Sequence, residues 1–142
     1  MAKRDPENRQ RYVIVGGGIA GMNCAETLRQ SGFTGEIVMI SDEKVAPYDR
    51  TLLSKVLATG DASKLSLRNT DFFEEAGITL KLGQRVQSID KVHHLVRFGS
   101  DVSADESLHY DKLLLATGSR VRKLNYPGIN LPGVYYLRTD QD

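Results

Sequence analysis

The chain is poor in several things, and each shortage removes a class of function. Cysteine occurs once, at Cys24, in 142 residues, which excludes an internal disulfide, a Cys-x-x-Cys redox pair and any all-cysteine metal cage. Such usage fits a reducing compartment. No run of roughly 18 or more apolar residues is present to span a bilayer, and the opening MAKRDPENRQR lacks the apolar stretch of a secretory signal. Charge of one sign is not in excess: 19 Lys plus Arg face 18 Asp plus Glu for a net +1, so no overall field holds the chain on nucleic acid or an acidic membrane. A cytoplasmic, soluble domain with neither a nucleic-acid partner nor a membrane span is the expectation. The length suits one domain and is too short for two catalytic ones, so the chain reads as at most one binding half of a larger machine.

Residues 1–11 are polar, carry Pro6 and show no periodicity, and read as a flexible leader without structure of its own. The character changes at Tyr12, where YVIV is a short β-branched run stopped by three glycines, a buried strand. From Gly18 to about Ser31 the apolar positions Ile19, Met22, Ala25 and Leu28 recur at helical spacing, with Asn23, Glu26, Arg29 and Gln30 on the polar side, and Gly32 stops the helix. A second apolar run, Ile37 to Ile40, ends at Asp42 and Glu43. Strand, helix, strand in about thirty residues is a right-handed parallel βαβ unit.

Farther on, Leu52, Leu53, Val56 and Leu57 suit one or two helical turns, and TDFFEEA (70–76) reads as a short helix capped by Thr70 or Asp71 and ended by Gly77. Ile78 to Leu82 resembles a third parallel strand. VQSID, HLVRF and SLHY suggest an antiparallel meander with turns at Asp90–Lys91 and Gly99–Asp105. Lys112 to Ala116 is a strand whose three leucines imply cover on both faces, followed by a Pro/Gly loop and a short VYYL strand. The fold class is α/β: a Rossmann-like parallel sheet with helices, plus an antiparallel meander on the other face.

Gly16, Gly18 and Gly21 stand in the spacing G-x-G-x-x-G between the first strand and the helix. Such a turn needs Gly16 for the bend, Gly18 for close approach of backbone to a pyrophosphate, and Gly21 where helix meets strand. The unpaired amides at the helix start and the helix dipole favour a phosphate there, in the stretch Gly18, Ile19, Ala20 and Gly21. A ribose-binding acid is expected about twenty positions on. Asp42 fits, and Glu43 takes its place if the strand end is off by one. A carboxylate here repels a 2′-phosphate, which favours a nucleotide with free ribose hydroxyls. The fingerprint alone does not separate FAD from NAD.

With VIVGGGIAG near the start, PYDR and LSK after the second strand and YDKLLLATGS near the end, the chain resembles the FAD-binding part of the apoptosis-inducing-factor-like and ferredoxin or rubredoxin reductase flavoproteins. These belong to the pyridine nucleotide-disulfide oxidoreductase superfamily, and the likeness spans about residues 12–140. The wording CAETLRQSGF, with PYDR and LSK, suggests the branch in which a Rieske iron–sulfur domain precedes the flavoprotein. The resemblance implies an FAD-dependent NAD(P)H oxidoreductase, in which NAD(P)H gives hydride to flavin N5 and electrons pass to a ferredoxin-type or Rieske iron–sulfur acceptor. It also adds mitochondrial association as an alternative location. It implies that Arg50 approaches the FAD phosphates and Lys55 the isoalloxazine, that Val86 meets the adenine through its main chain, and that Ala116, Thr117 and Gly118 close over the cofactor. Arg122 matches a basic position after that motif, with a surface arginine as the other reading. Where the family usually has two prolines, this chain has Thr51 and Leu52, which implies a less rigid loop. Relatives continue with NAD(P)H-binding and C-terminal domains, so residues 12–142 read as an incomplete FAD-binding domain, a fragment with no complete active site and no catalytic residue of its own. Two alternatives stay open: a catalytically inactive interaction or regulatory remnant, and an NAD-only binding half. Cys24 reads as a small core thiol. His93 and His94, adjacent in an expected strand, point to opposite faces and bind no metal together. Phe72, Phe73, Tyr135 and Tyr136 read as core or interface aromatics.

Overall fold

A computed structural model describes residues 1–56, 65–100 and 103–142. Leu57 of the apolar patch, and two residues of the expected turn at 99–105, lie outside the described residues. The elements follow in the order β1 (Arg11–Val15), α1 (Ile19–Gln30), β2 (Glu36–Ile40), a 3-10 turn (Arg50–Leu52), α2 (Leu53–Val56), α3 (Thr70–Glu75), β3 (Ile78–Lys81), β4 (Arg85–Asp90), β5 (Leu95–Ser100), β6 (Ser103–His109) and β7 (Lys112–Leu115).

Four strands form a parallel sheet in the order β3-β2-β1-β7, and β4-β5-β6 form a separate antiparallel sheet. In register, Val13 lies between Val38 and Leu113, and Val15 between Ile40 and Leu115. The two-residue period sorts these side chains. Ile14, Ile37, Met39 and Ile78 face α1 and α3, meeting Met22, Ala25, Phe73 and Ala76. Val13, Val15, Val38 and Ile40 face the meander, meeting Val96, Phe98 and Tyr110. Unbroken apolar runs are what a sheet covered on both faces requires, and each fully buried large side chain contributes about 1.5–3 kcal/mol.

Several expectations are corrected. Arg29, assigned to the polar side of α1, is 0% exposed. Its guanidinium donates to the carbonyls of Phe33, Gly35, Ala76 and Gly77 at 2.6–2.9 Å, tying the end of α1 to both following turns. Burial, then the nearby Arg4 charge, lowers its pKa from the ordinary arginine value. Ile19, placed on the apolar face, is 54% exposed. Asn69, rather than Thr70 or Asp71, caps α3, its side chain accepting from Phe72 N. The 1–11 segment is held rather than loose. Arg11 opens β1, and Ala2 N donates to Arg29 O and Asp5 N to Thr34 O, each at 2.9 Å.

His93 and His94 fall in the turn between β4 and β5, not in a strand. His93 Nδ1 lies 2.7 Å from Asp90 Oδ2, and His94 takes a left-handed φ of 53° and stacks on Tyr110. β7 is the edge of the described parallel sheet; Leu114 packs on the helix side and Leu113 on the meander side, each half-buried, whereas Leu115 is 60% exposed, so the expected cover on both faces reaches two of the three leucines. VYYL pairs with no strand among the described residues. Tyr135 is exposed, and the Tyr136 hydroxyl accepts from Leu124 N instead. Phe73 is buried and Phe72 meets its ring edge-on. Among the described residues no helix is long and apolar enough to cross a membrane.

Candidate nucleotide site

The strand order locates the site. From β1 the neighbours run to β2 on one side and to β7 on the other, and such a switch point opens a crevice at the carboxyl ends of the strands. Gly16 N donates to Ile40 O and Ala116 N to Val15 O, each at 2.8 Å, so the three strand ends are joined there. Gly16 has φ +119°, and a Cβ on it would lie 2.1 Å from Ala116 O, which makes glycine obligatory at this crossing. A Cβ on Gly21 would meet Gly16 O at 2.3 Å, so α1 sits as close to the turn as the fingerprint predicts. Gly18 differs: a Cβ there would meet nothing within 4 Å. It is the N-cap of α1, no side chain caps the first turn, and no acidic residue stands in it. The first amides of α1, at Ile19, Ala20 and Gly21, are thereby left to a ligand.

Beside this turn lies a cavity of about 830 Å³. Of the residues expected from sequence, Gly16, Asp42, Glu43, Arg50, Val86, Thr117 and Gly118 line it. Gly18, Ile19 and Ala20 stand at the adjoining start of α1, Gly21 is buried beneath them, and the Ala116 carbonyl forms the contact with Gly16. Lys55 is exposed on α2, and Arg122 is exposed beyond Arg120; neither lines the cavity.

Residues that the sequence reading missed complete the lining: Gln84, Arg85, Arg120 and Arg138 among them. Arg85 and Arg120 stand beside expected positions, whereas Arg138 carries no local signal and arrives from far along the chain. Four arginines against Asp42 and Glu43 leave the lining with two net positive charges, the complement of a diphosphate.

The two carboxylates are not equivalent. Glu43 accepts from the Tyr48 hydroxyl at 2.6 Å and pairs with the Arg50 guanidinium. Asp42 is exposed just past the end of β2 and makes no hydrogen bond among the described residues, so it is the carboxylate of the two without a protein hydrogen-bond partner there. Arg50 also donates to Tyr48 Oη and Arg138 O, each at 2.9 Å. Cys24 lies outside the site and is half-buried, and burial pushes its thiol pKa up, as suits an unreactive core thiol.

A glycine turn at a switch point, an uncapped helix start, an open acid and a cationic lining define a dinucleotide-binding half of the Rossmann type. Comparison with known proteins gives the family: residues 10–142 match the pyridine nucleotide-disulphide oxidoreductase family, and the chain belongs to it. It is 45% identical over 129 residues to rhodocoxin reductase of Rhodococcus erythropolis, covering 89% of this chain and 29% of that protein. It is 41% identical over 131 residues to human apoptosis-inducing factor 3, covering 92% of this chain and 21% of that protein. The ferredoxin reductase for the CYP199A2 system from Rhodopseudomonas palustris superposes with a TM-score of 0.81 at 38% identity, over 92% of this chain and 32% of that one. The chain thus spans about a third or less of the length of these relatives.

Proposed function

We propose that the cavity holds the ADP part of FAD and that the chain is the FAD-binding portion of an NAD(P)H-dependent flavoprotein reductase serving a ferredoxin-type or Rieske iron–sulfur acceptor. The likeness to a rhodocoxin reductase and a ferredoxin reductase supports a ferredoxin-type acceptor. One observation carries the cofactor assignment: the uncapped start of α1, the open Asp42 and an arginine-rich lining meet at one switch point. In this reading the amides of α1 and the guanidinium groups of Arg50 and Arg138 hold the diphosphate. Asp42 accepts from the ribose hydroxyls, and the backbone at Val86 borders the adenine. Ala116, Thr117 and Gly118 close the turn over the cofactor. When bound, the flavin supplies a carrier that takes two electrons from a nicotinamide and releases them to an iron–sulfur centre. The chain's own residues bind and orient; the nicotinamide site belongs to further chain. The expected location is the cytoplasm or an association with mitochondria.

A second reading, a scaffold that keeps the fold and holds no flavin, is favoured by one observation, the exposure of Lys55 away from the cavity. A titration separates the two. The purified chain, mixed with FAD and followed by flavin absorbance and fluorescence, is expected to saturate near one FAD per chain. No saturable binding after reconstitution contradicts the proposal, and binding of NAD in place of FAD identifies an NAD-only half.

A further inference from the structure

Tyr48 is buried with Leu53 and Leu65 in a small apolar cluster, yet its hydroxyl makes three hydrogen bonds. It donates to Glu43 Oε2 at 2.6 Å, and accepts from Arg50 Nη1 at 2.9 Å and from Asp140 N at 3.1 Å. One oxygen thus joins the end of β2, the turn carrying Arg50, and the last residues of the chain. Burial and the bond to Glu43 raise its pKa above that of ordinary tyrosine, so the hydroxyl remains a donor throughout the neutral range.

The consequences fall on the two arginines. The Arg50 guanidinium lies over the Tyr48 ring, 5.0 Å from its centroid, and is held by Tyr48 Oη, Glu43 and Arg138 O. Of the roughly five N–H donors a guanidinium carries, these contacts leave the Nε hydrogen and one on Nη2 for an oxyanion. Arg138 is fixed from two sides, its carbonyl by Arg50 and its backbone N by Asp142 Oδ2 at 2.7 Å. Its guanidinium lies against Gly118, where a Cβ would stand 3.2 Å from Arg138 Nη2.

We propose that Tyr48 is a positioning residue for the diphosphate. It holds Arg50 in place and, through Asp140, pins the 138–142 segment so that Arg138 also lines the cavity. The inference rests on the nucleotide-binding reading above and adds to it a residue that touches no ligand.

Tyr48→Phe tests it, because the ring, its apolar contacts and its face toward Arg50 remain while the hydroxyl goes. The chain is titrated with ADP and with adenosine by NMR, since both share the ribose and base and only ADP has phosphates. Tyr48→Phe is expected to bind ADP about tenfold more weakly while adenosine affinity stays within about twofold. Arg138→Gln, at a half-exposed position where folding is not at stake, is expected to show the same split. Unchanged ADP affinity in Tyr48→Phe, or equal loss for ADP and adenosine, overturns the positioning role while leaving the nucleotide site standing. A wild-type chain that binds neither ADP nor FAD overturns both.

Discussion

Gly16 and Gly18 are two residues apart and do opposite work. A side chain at Gly16 would enter the Ala116 carbonyl on a left-handed backbone, whereas one at Gly18 would project into open space from an ordinary extended φ of −83°. The first glycine serves the fold and the second leaves room in front of the helix amides. Gly18→Val is therefore expected to keep the structure, lowering the melting temperature by no more than about 5 °C for the poorer N-cap, and to abolish saturable FAD binding. Retained FAD affinity in this variant would mean that the phosphates lie elsewhere. At this scale the sequence was informative where a motif is local. The fingerprint and the preference for Asp42 over Glu43 were legible, but the partners that occupy Glu43 were not. Which acid is free depends on Tyr48 and Arg50, whose side chains claim Glu43.

At the scale of elements, hydrophobic periodicity located β1 to β7 and both main helices but not the VYYL segment, which forms no strand, since a run such as YVIV or an i, i+3 stripe is a local property. It failed at Arg29. Spacing alone assigns an arginine to solvent, and only the folded chain shows four carbonyls, from residues 33–35 and 76–77, converging on one guanidinium. Those carbonyls belong to turns without regular partners, and a buried acceptor left unpaired costs free energy. Arg29→Met keeps comparable length and removes the donors. It is expected to destabilise the chain by about 3–5 kcal/mol in urea unfolding, a large part of the stability of a domain this size. A loss below about 1 kcal/mol would show that the turns hold without it. Caps and strand limits were likewise beyond local patterns. Asn69 takes the cap because its side chain reaches Phe72 N, and the histidine pair turns out to be a hairpin turn anchored by Asp90.

For the whole molecule, the class of fold was legible from the alternation of strand and helix, which makes β1 and β2 parallel neighbours, whereas the place of β7 beside β1 is seen only in the folded chain. The far wall of the cavity was not. Arg138 joins the site through a hydrogen bond that spans 88 positions, and no pattern near residue 138 announces it. The edge position of β7 was also hidden, because three leucines in a row look the same whether a sheet continues past them or stops. The account as a whole requires a diphosphate at the start of α1, between Asp42 and the arginines. A crystal structure of the chain with ADP measures this directly. The account predicts phosphate oxygens within hydrogen-bond distance of the amides following Gly18, with the ribose on Asp42. ADP bound away from that turn, or a turn closed over by the protein's own atoms at saturating ADP, would contradict it.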